Sequence, residues 1–288
     1  MKIIRSIPKM QEYARALKKQ KRSIGLVPTM GALHAGHISL IRQARKDNAK
    51  VVVSIFVNPI QFGPQEDFKK YPRVFAQDAK ICRHEGVDII FYPSVKDMYK
   101  NNYRTYVFVE KLSQNLCGAF RPGHFQGVAT AVNKLFNIAQ PDRAYFGQKD
   151  AQQAVIIKKM AEDLNMPVEI KVMPTVRANN GLALSSRNAY LSEGARQDAA
   201  LIYEALDLAR SLIKKGDYKT ADIIGAMQKL ISKNKNIKIQ YLLIVDLKDL
   251  KPIYRIKSGV LIAIAAFIGE LRLIDNIVVD RKGRFISV

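Results

Sequence analysis

The chain has little cysteine. Cys82 and Cys117 are the two among 288 residues, they form no CxxC pair, and no secretory leader is recognised. A disulfide framework is therefore not expected, and a reducing cytoplasm fits. Long apolar runs are missing as well. The longest, Val260 to Ile268, is bounded by Gly259 and Gly269 and falls far short of the roughly 20 residues that cross a bilayer, so no membrane partner is expected. Nor is there a dense basic block interleaved with aromatics, although the formal charge is +22. Lysine and arginine are scattered along the chain, which favours anionic ligands in general and argues against a nucleic-acid groove. Internal repeats and low-complexity linkers are also missing. The segment through Arg22 is basic and almost free of acids, as transit peptides are, but it is poor in serine and runs straight into an apolar strand pattern. It is expected to fold with the rest.

What the chain does have is enough apolar material, 48% of its residues, to bury a full core in two lobes or one large domain. From Ile24 to Pro174 short runs of β-branched and aromatic residues alternate with segments of helical period, the pattern of a parallel sheet wrapped by helices. Strands are predicted at Ile24 to Val27, Val51 to Val57, Val87 to Tyr92, Arg143 to Phe146 and Val168 to Val172. Helices are predicted at Ile38 to Asn48, Phe75 to Glu85, Val128 to Ala139 and Ala151 to Asn165. Right-handed crossovers would make this a Rossmann-like lobe over residues 1–174. Residues 175–288 read differently: amphipathic helices near Glu193 to Lys215 and Ala221 to Ser232 precede strands at Ile239 to Val245, Val260 to Ile268 and Leu271 to Val279. That is a smaller α+β lobe, entered by a short passage near Thr175.

Four stretches carry candidate chemistry. In VPTMGALHAGH a buried strand breaks at Pro28, turns through Gly31 and reaches His34 and His37 as a helix begins. Glycines admit an anion close to the backbone and a helix start offers unpaired N–H groups, so the design suits phosphate. A histidine pair alone is equally a structural feature, and zinc lacks a third ligand at recognisable spacing, with only His84 and His124 left. In SIFVNPIQFGPQEDFKKYPR the next strand delivers the amides Asn58 and Gln61 to its carboxyl end, where open α/β sheets bind ligands. A neutral amide orients a carboxylate without neutralising it; a solvated turn would read the same way. In FGQKDAQQ a strand end presents Gly147, Lys149 and Asp150, with Gln153 one turn on. Lys149 suits phosphate oxygens, whereas helix capping alone would explain Asp150. LSSRN places Ser185, Ser186 and Arg187 together, a set that suits a polyphosphate on a loop able to close and exclude water, although such tripeptides are common on surfaces.

Taken in order, VPTMGALHAGH, SIFVNPIQFGPQEDF, YPR, RPGHFQGV, FGQKDAQQ, LSSRN and the late RLIDN closely resemble the pantothenate synthetase (pantoate:beta-alanine ligase) family, from Met1 nearly to the C-terminus. The resemblance implies a homodimer. It implies an N-terminal lobe of the nucleotidyltransferase superfamily shared with class I aminoacyl-tRNA synthetases, with the C-terminal lobe as a lid. It implies ATP with Mg²⁺, pantoate and beta-alanine as substrates, and a pantoyl adenylate intermediate.

Carried over by position, Met30, Gly31, Ala32, Leu33, His34, Ala35, Gly36 and His37 would line the ATP site, with His37 catalytic and His34 its partner on the phosphates. Gly147, Gln148, Lys149 and Asp150 would hold nucleotide, and Val176, Leu184, Ser185, Ser186 and Arg187 would complete its pocket. Lys149 and Arg187 would act on the phosphates. Gln61 would contact pantoate and then beta-alanine, Asn58 would help orient the amine, and Gln153 would bind pantoate. No covalent enzyme intermediate is needed, in agreement with the lack of a Ser–His–Asp or Cys–His signature. Three departures stand out: Cys117 where many members have glutamate, Gln148 where charge is common, and Asp78 alone where some members have an acidic pair for magnesium. HxGH by itself does not choose the acceptor, so a related nucleotidyltransferase for another acid is the alternative reading. A basic nucleic-acid-binding protein is the alternative from a different class.

Overall fold

The computed structural model describes residues 1–64 and 66–288. Helices run at Ile7–Lys19 (α1), Ala35–Asp47 (α2), Phe75–His84 (α3), Val95–Met98 (α4), Cys117–Phe120 (α5), His124–Ala139 (α6), Ala151–Asp163 (α7), Glu193–Lys215 (α8) and Thr220–Ile231 (α9). Strands lie at Lys2–Ile4 (β1), Ile24–Thr29 (β2), Lys50–Ile55 (β3), Ile89–Phe91 (β4), Arg143–Gly147 (β5), Glu169–Met173 (β6), Ile237–Asp246 (β7), Val260–Ile268 (β8) and Leu271–Val279 (β9). The chain forms two compact units. Met1–Ser113, Gly118–Gly147 and Ile156–Met173 make the first; Gln114–Cys117, Gln148–Val155 and Pro174–Val288 make the second.

In the first unit six parallel strands stand in the order β1-β4-β3-β2-β5-β6. The central β2 and β3 read IGLVPT and KVVVSI, runs rich in β-branched residues that are buried on both faces, as a helix-covered parallel sheet requires. Val27, Val51, Val53, Ile90 and Tyr145 pack there with Leu40, Ile41 and Ala44 from α2. From β2 the chain adds β3 and β4 on one side and β5 and β6 on the other, so the strand order reverses beside β2. Such a reversal opens a crevice at the carboxyl ends of the strands. The basic N-terminus is folded: β1 pairs with β4, and α1 follows with a proline in its first turn, where a missing N–H costs nothing. β3 stops two residues before the predicted Val57, after Phe56 N donates to Thr29 O at 3.0 Å, because the chain turns at Pro59.

The second unit has a three-stranded antiparallel sheet, β7-β8-β9, and the amphipathic helices α8 and α9. Ser192 caps α8 by accepting from Ala195 N at 3.2 Å, and Gly216 ends it with φ +100°. Leu206, Ile213, Ile223 and Met227 from the helices pack with Ile262 and Ile264 of β8 in one core. β8 and β9 close a hairpin at Ile268↔Leu271, with Gly269 at φ +57° in the two-residue turn, as hairpins of this length demand. Gln114–Cys117 and Gln148–Val155 lie far upstream of the boundary expected at residue 174, yet their bonds are to each other and to the C-terminal sheet. Gln152 Oε1 accepts from Cys117 N at 3.0 Å and its Nε2 donates to Asn115 O at 2.7 Å. Asn276 Nδ2 donates to the carbonyls of Gln148 and Lys149 at 3.0 and 2.8 Å.

Candidate active site

The first cluster is built where β2 ends. Thr29 Oγ1 donates to Ser54 O on β3 at 2.7 Å and accepts from Gly31 N at 3.1 Å, which fixes the exit of the strand. After Met30 two residues are left-handed, Gly31 at φ +85° and Ala32 at φ +51°. Glycine takes this freely, whereas an alanine there costs about 1 kcal/mol or more. A Cβ on Gly31 would stand 3.0 Å from Asp78 Oδ2 and 3.1 Å from Ile55 Cγ2. The strained turn is held by that same Asp78. Its two carboxylate oxygens accept from Ala32 N at 2.9 Å and Leu33 N at 2.8 Å, and the residue is 1% exposed. Burial raises the Asp78 carboxyl above the usual aspartate range, and the two N–H bonds only partly offset it. The acid that follows YPR is thus a clamp on the histidine loop. The Leu33 side chain is buried in the core, 7% exposed, and its N–H is taken by Asp78.

His34 caps α2. Its Nδ1 accepts from Gly36 N at 3.1 Å, and its own N–H donates to His37 Nδ1 at 3.3 Å. Backbone nitrogens only donate, so both Nδ1 atoms are acceptors and both rings carry their proton on Nε2. The ring centroids are 4.1 Å apart, tilted by 48°. Two imidazole N–H donors are thereby oriented at a helix start, where the dipole favours an anion. Gly36 makes this possible: a Cβ there would lie 2.8 Å from His34 Cε1.

Beyond β3, Asn58 and Gln61 bracket a single turn of 3₁₀ helix at Pro59–Gln61. Asn58 is 2% exposed. Its Nδ2 donates to Gly127 O at 3.0 Å and to Gln61 Oε1 at 2.9 Å, and its Oδ1 accepts from the Tyr99 hydroxyl at 2.8 Å. Gln61 Nε2 lies 3.1 Å from Met30 Sδ, which brings the two motifs together. The RPGHFQGV segment supports this turn from α6. His124 Nδ1 donates to Gln61 O at 2.8 Å, Arg121 Nη1 lies 3.0 Å from His124 Nε2, and Arg121 pairs with Glu66. Gly127 lets the elements touch, since a Cβ there would stand 2.4 Å from Ile60 O. Nothing in the sequence marks Thr29, Tyr99, Arg121, His124 or Gly127 for these contacts. Three of them lie in the quoted RPGHFQGV, but nothing in that string reveals that its donors serve a turn some 60 residues upstream.

In the second unit Gln148, Lys149 and Asp150 form a 3₁₀ turn leading into α7. Gln148 and Lys149 are held by their carbonyls on Asn276, which leaves the lysine side chain to act separately, 4.0 Å from Asp150 Oδ1. Asn276 is the last residue of RLIDN. Its neighbour Asp275 takes a bidentate pair from Arg177 at 2.6 and 3.0 Å, and burial raises its carboxyl even so. Arg177 also lies over the Tyr203 ring, 3.9 Å from its centroid. Beside it, Leu184 N donates to Val176 O at 3.0 Å, so those two residues face across one narrow loop. Ser185 Oγ then accepts from Arg187 N at 3.3 Å and caps the short turn Ser186–Tyr190. Gln153 is partly buried on the first turn of α7. Cys117 is buried, with Sγ 3.1 Å from the Tyr241 hydroxyl and 3.5 Å from Arg272 Nη2. Among the described residues no three His, Cys, Asp or Glu side chains form a metal cluster, and no helix is long and apolar enough to cross a membrane.

A family profile described as Pantoate-beta-alanine ligase matches residues 2–278. A pantothenate synthetase of Caldicellulosiruptor bescii is 52% identical over 282 residues, covering 98% of this chain and 100% of its own length. The crystal structure of pantothenate synthetase from Thermus thermophilus superposes with TM-score 0.91 at 42% identity, over 96% of this chain and 98% of that one. A pantoate-beta-alanine ligase from Francisella tularensis, solved with "Beta-gamma ATP" and beta-alanine, gives 0.79 at 36% identity, over 96% and 97%. This chain therefore belongs to the pantoate-beta-alanine ligase family and is an enzyme of the ligase class.

Proposed function

We propose that the chain condenses pantoate with beta-alanine at the cost of ATP, and that the groups described above divide the work as follows. In the first step a pantoate carboxylate oxygen attacks the α-phosphorus of ATP. The bond to the bridging oxygen breaks, pyrophosphate leaves, and a pantoyl adenylate forms. In the second step the beta-alanine amine attacks the acyl carbon, AMP departs, and the nitrogen loses a proton to give the amide. Negative charge grows on phosphoryl oxygens in the first step, so oriented donors lower its barrier. The observation that carries this reading is the reciprocal capping of His34 and His37, which presents two Nε2–H donors at the α2 start. Met30 to His37 then line the nucleotide, and Gln61, with Asn58 behind it, lies on the side of the acid.

The roles of the second unit rest on the family resemblance. Lys149, Ser186 and Arg187 supply further phosphate donors, Gly147 to Asp150 with Val176, Leu184 and Ser185 enclose the nucleotide, and Gln153 binds pantoate. Magnesium enters as the ATP chelate. Asp78, whose two oxygens are both occupied by backbone N–H groups, does not fit a metal ligand. The protein acts in the cytoplasm as a homodimer. Isotope exchange of pyrophosphate into ATP tests the reading: it should require pantoate and Mg²⁺ but not beta-alanine. Well-folded protein that supports no exchange, or exchange driven equally by unrelated acids, would refute it.

A further inference from the structure

The hydrogen bonds around Gln61 can run in one direction only. Gly127 O is a carbonyl and accepts, so the Asn58 atom facing it at 3.0 Å is the NH₂ nitrogen. The other end of that amide, Oδ1, then needs a donor, and the Tyr99 hydroxyl at 2.8 Å supplies it. The second N–H of Asn58 reaches the Gln61 side chain at 2.9 Å, so the atom it meets is Oε1. What Gln61 turns to Met30, 3.1 Å away, is therefore its NH₂ group, and thioether sulfur is an acceptor. The backbone of Gln61 is pinned separately by His124 on its carbonyl. Tyr99 is a residue of the same unit, packed edge-on to Tyr103 with ring centroids 5.0 Å apart. Burial raises its phenol, with Tyr103 and Tyr106 adding to the effect, so it stays an O–H donor throughout the neutral range.

We propose that Tyr99 is a positioning residue which, together with the Gly127 carbonyl, acts through Asn58 to hold the Gln61 amide with its NH₂ end toward the acid substrate, where the N–H not given to Met30 selects an acceptor oxygen. This deepens the proposed function and rests on it. A glutamine free to flip also presents its carbonyl, which repels the carboxylate oxygens of a hydroxy acid because both can only accept. Fixing the flip removes that loss before substrate arrives, a case of preorganisation.

Tyr99→Phe keeps the ring and removes the donor. The expected result is about a tenfold rise in KM for pantoate in pyrophosphate exchange, with KM for ATP unchanged and the unfolding transition still cooperative. A purely structural role would move both constants together. The decisive comparison uses Gln61→Leu, which has no amide to orient. Tyr99→Phe should add no further loss on that background, whether read as exchange or, if turnover is too slow, as pantoate binding by calorimetry in the presence of a non-hydrolysable ATP analogue. A Tyr99→Phe enzyme with wild-type KM for pantoate overturns the proposal, as do losses that multiply in the double variant. If the wild-type protein itself shows no pantoate-dependent exchange, the proposed function fails and the proposal falls with it. Active wild type beside an unaffected Tyr99→Phe sinks the relay alone.

Discussion

Asp78→Asn isolates the contribution of the clamp beneath the histidine loop. In the native protein two carboxylate oxygens accept from two consecutive N–H groups, at 2.9 and 2.8 Å. Asparagine keeps the shape but has one acceptor, so its NH₂ must oppose either Ala32 N or Leu33 N. One charge-assisted bond is lost, about 1.5–3 kcal/mol, at a turn that already contains a left-handed alanine. Against this, the buried carboxylate is discharged, which recovers part of its desolvation cost. The two effects fall on different observables. Global stability should change little, while the Ala32–Leu33 turn relaxes and moves the His34 cap, which lowers pyrophosphate exchange by about 10- to 100-fold if most of the lost bond energy appears in the barrier.

The pH dependence provides a second reading. Burial raises the folded Asp78 pKa above its unfolded value near 3.8, so the native state binds more protons in the interval between them. Stability from this group therefore falls as pH rises through that interval and is level above it. Urea unfolding at pH 3.5 and pH 7 should show the wild type losing ground to Asp78→Asn at the higher pH. Exchange within twofold of wild type would refute the clamp, and so would a loss of activity that merely tracks a collapse in unfolding midpoint.

Three further outcomes follow from geometry. His37→Ala should fold and slow adenylation about a hundredfold, the effect of roughly 3 kcal/mol lost from one oriented donor; near-normal exchange would remove His37 from the catalytic set. Gly36→Ala should raise the helix propensity of α2 by up to about 1 kcal/mol yet displace the His34 ring, whose Cε1 is 2.8 Å from the new Cβ. Exchange should fall at least tenfold with no drop in thermal midpoint, and an unchanged rate would show that the cap is dispensable. Arg177→Met should destabilise the protein by about 3–5 kcal/mol, because Asp275 is left charged and buried without its partner; denaturant titration checks it, and a loss under 1 kcal/mol would contradict the pairing.

The sheet and most helices were legible because their signals are local. β2 and β3 are dominated by apolar residues, and β8 and β9 are matched to the residue by Gly259, Gly269 and the runs between. β1 carries no strand signal, because three residues hold no period; in the structure Ile3 is 41% exposed. The apolar period predicts a start of α6 at Val128, but the helix begins at His124, since His124 and the preceding Arg121 are polar for a reason outside the helix: they serve the Gln61 turn. The assignment of Gln148–Val155 to the second unit was also hidden, because it depends on Asn276, more than a hundred residues downstream.

The site followed the same rule. His34, His37 and Gln61 stand out in the sequence because a strand end or helix start makes them conspicuous. The residues that give them a direction do not. A histidine at an N-cap has two tautomers and a glutamine has two flips, and nothing within either motif chooses between them. Here the choice is made by the N–H groups of His34 and Gly36 for the imidazoles, and for the amides by the carbonyl of Gly127 together with the Tyr99 hydroxyl at the other end of Asn58. Both choices fix which atoms donate, the imidazole Nε2–H groups and the Gln61 NH₂, and under the proposed function a reaction between a carboxylate and a triphosphate needs donors of that kind. Neutral donors have a further consequence on the acid side. Under the proposed function, a cation in the place of Gln61 would bind the carboxylate tightly before attack and stabilise the ground state, whereas an amide fixed by Asn58 would orient the acid and leave its oxygen free to act as nucleophile.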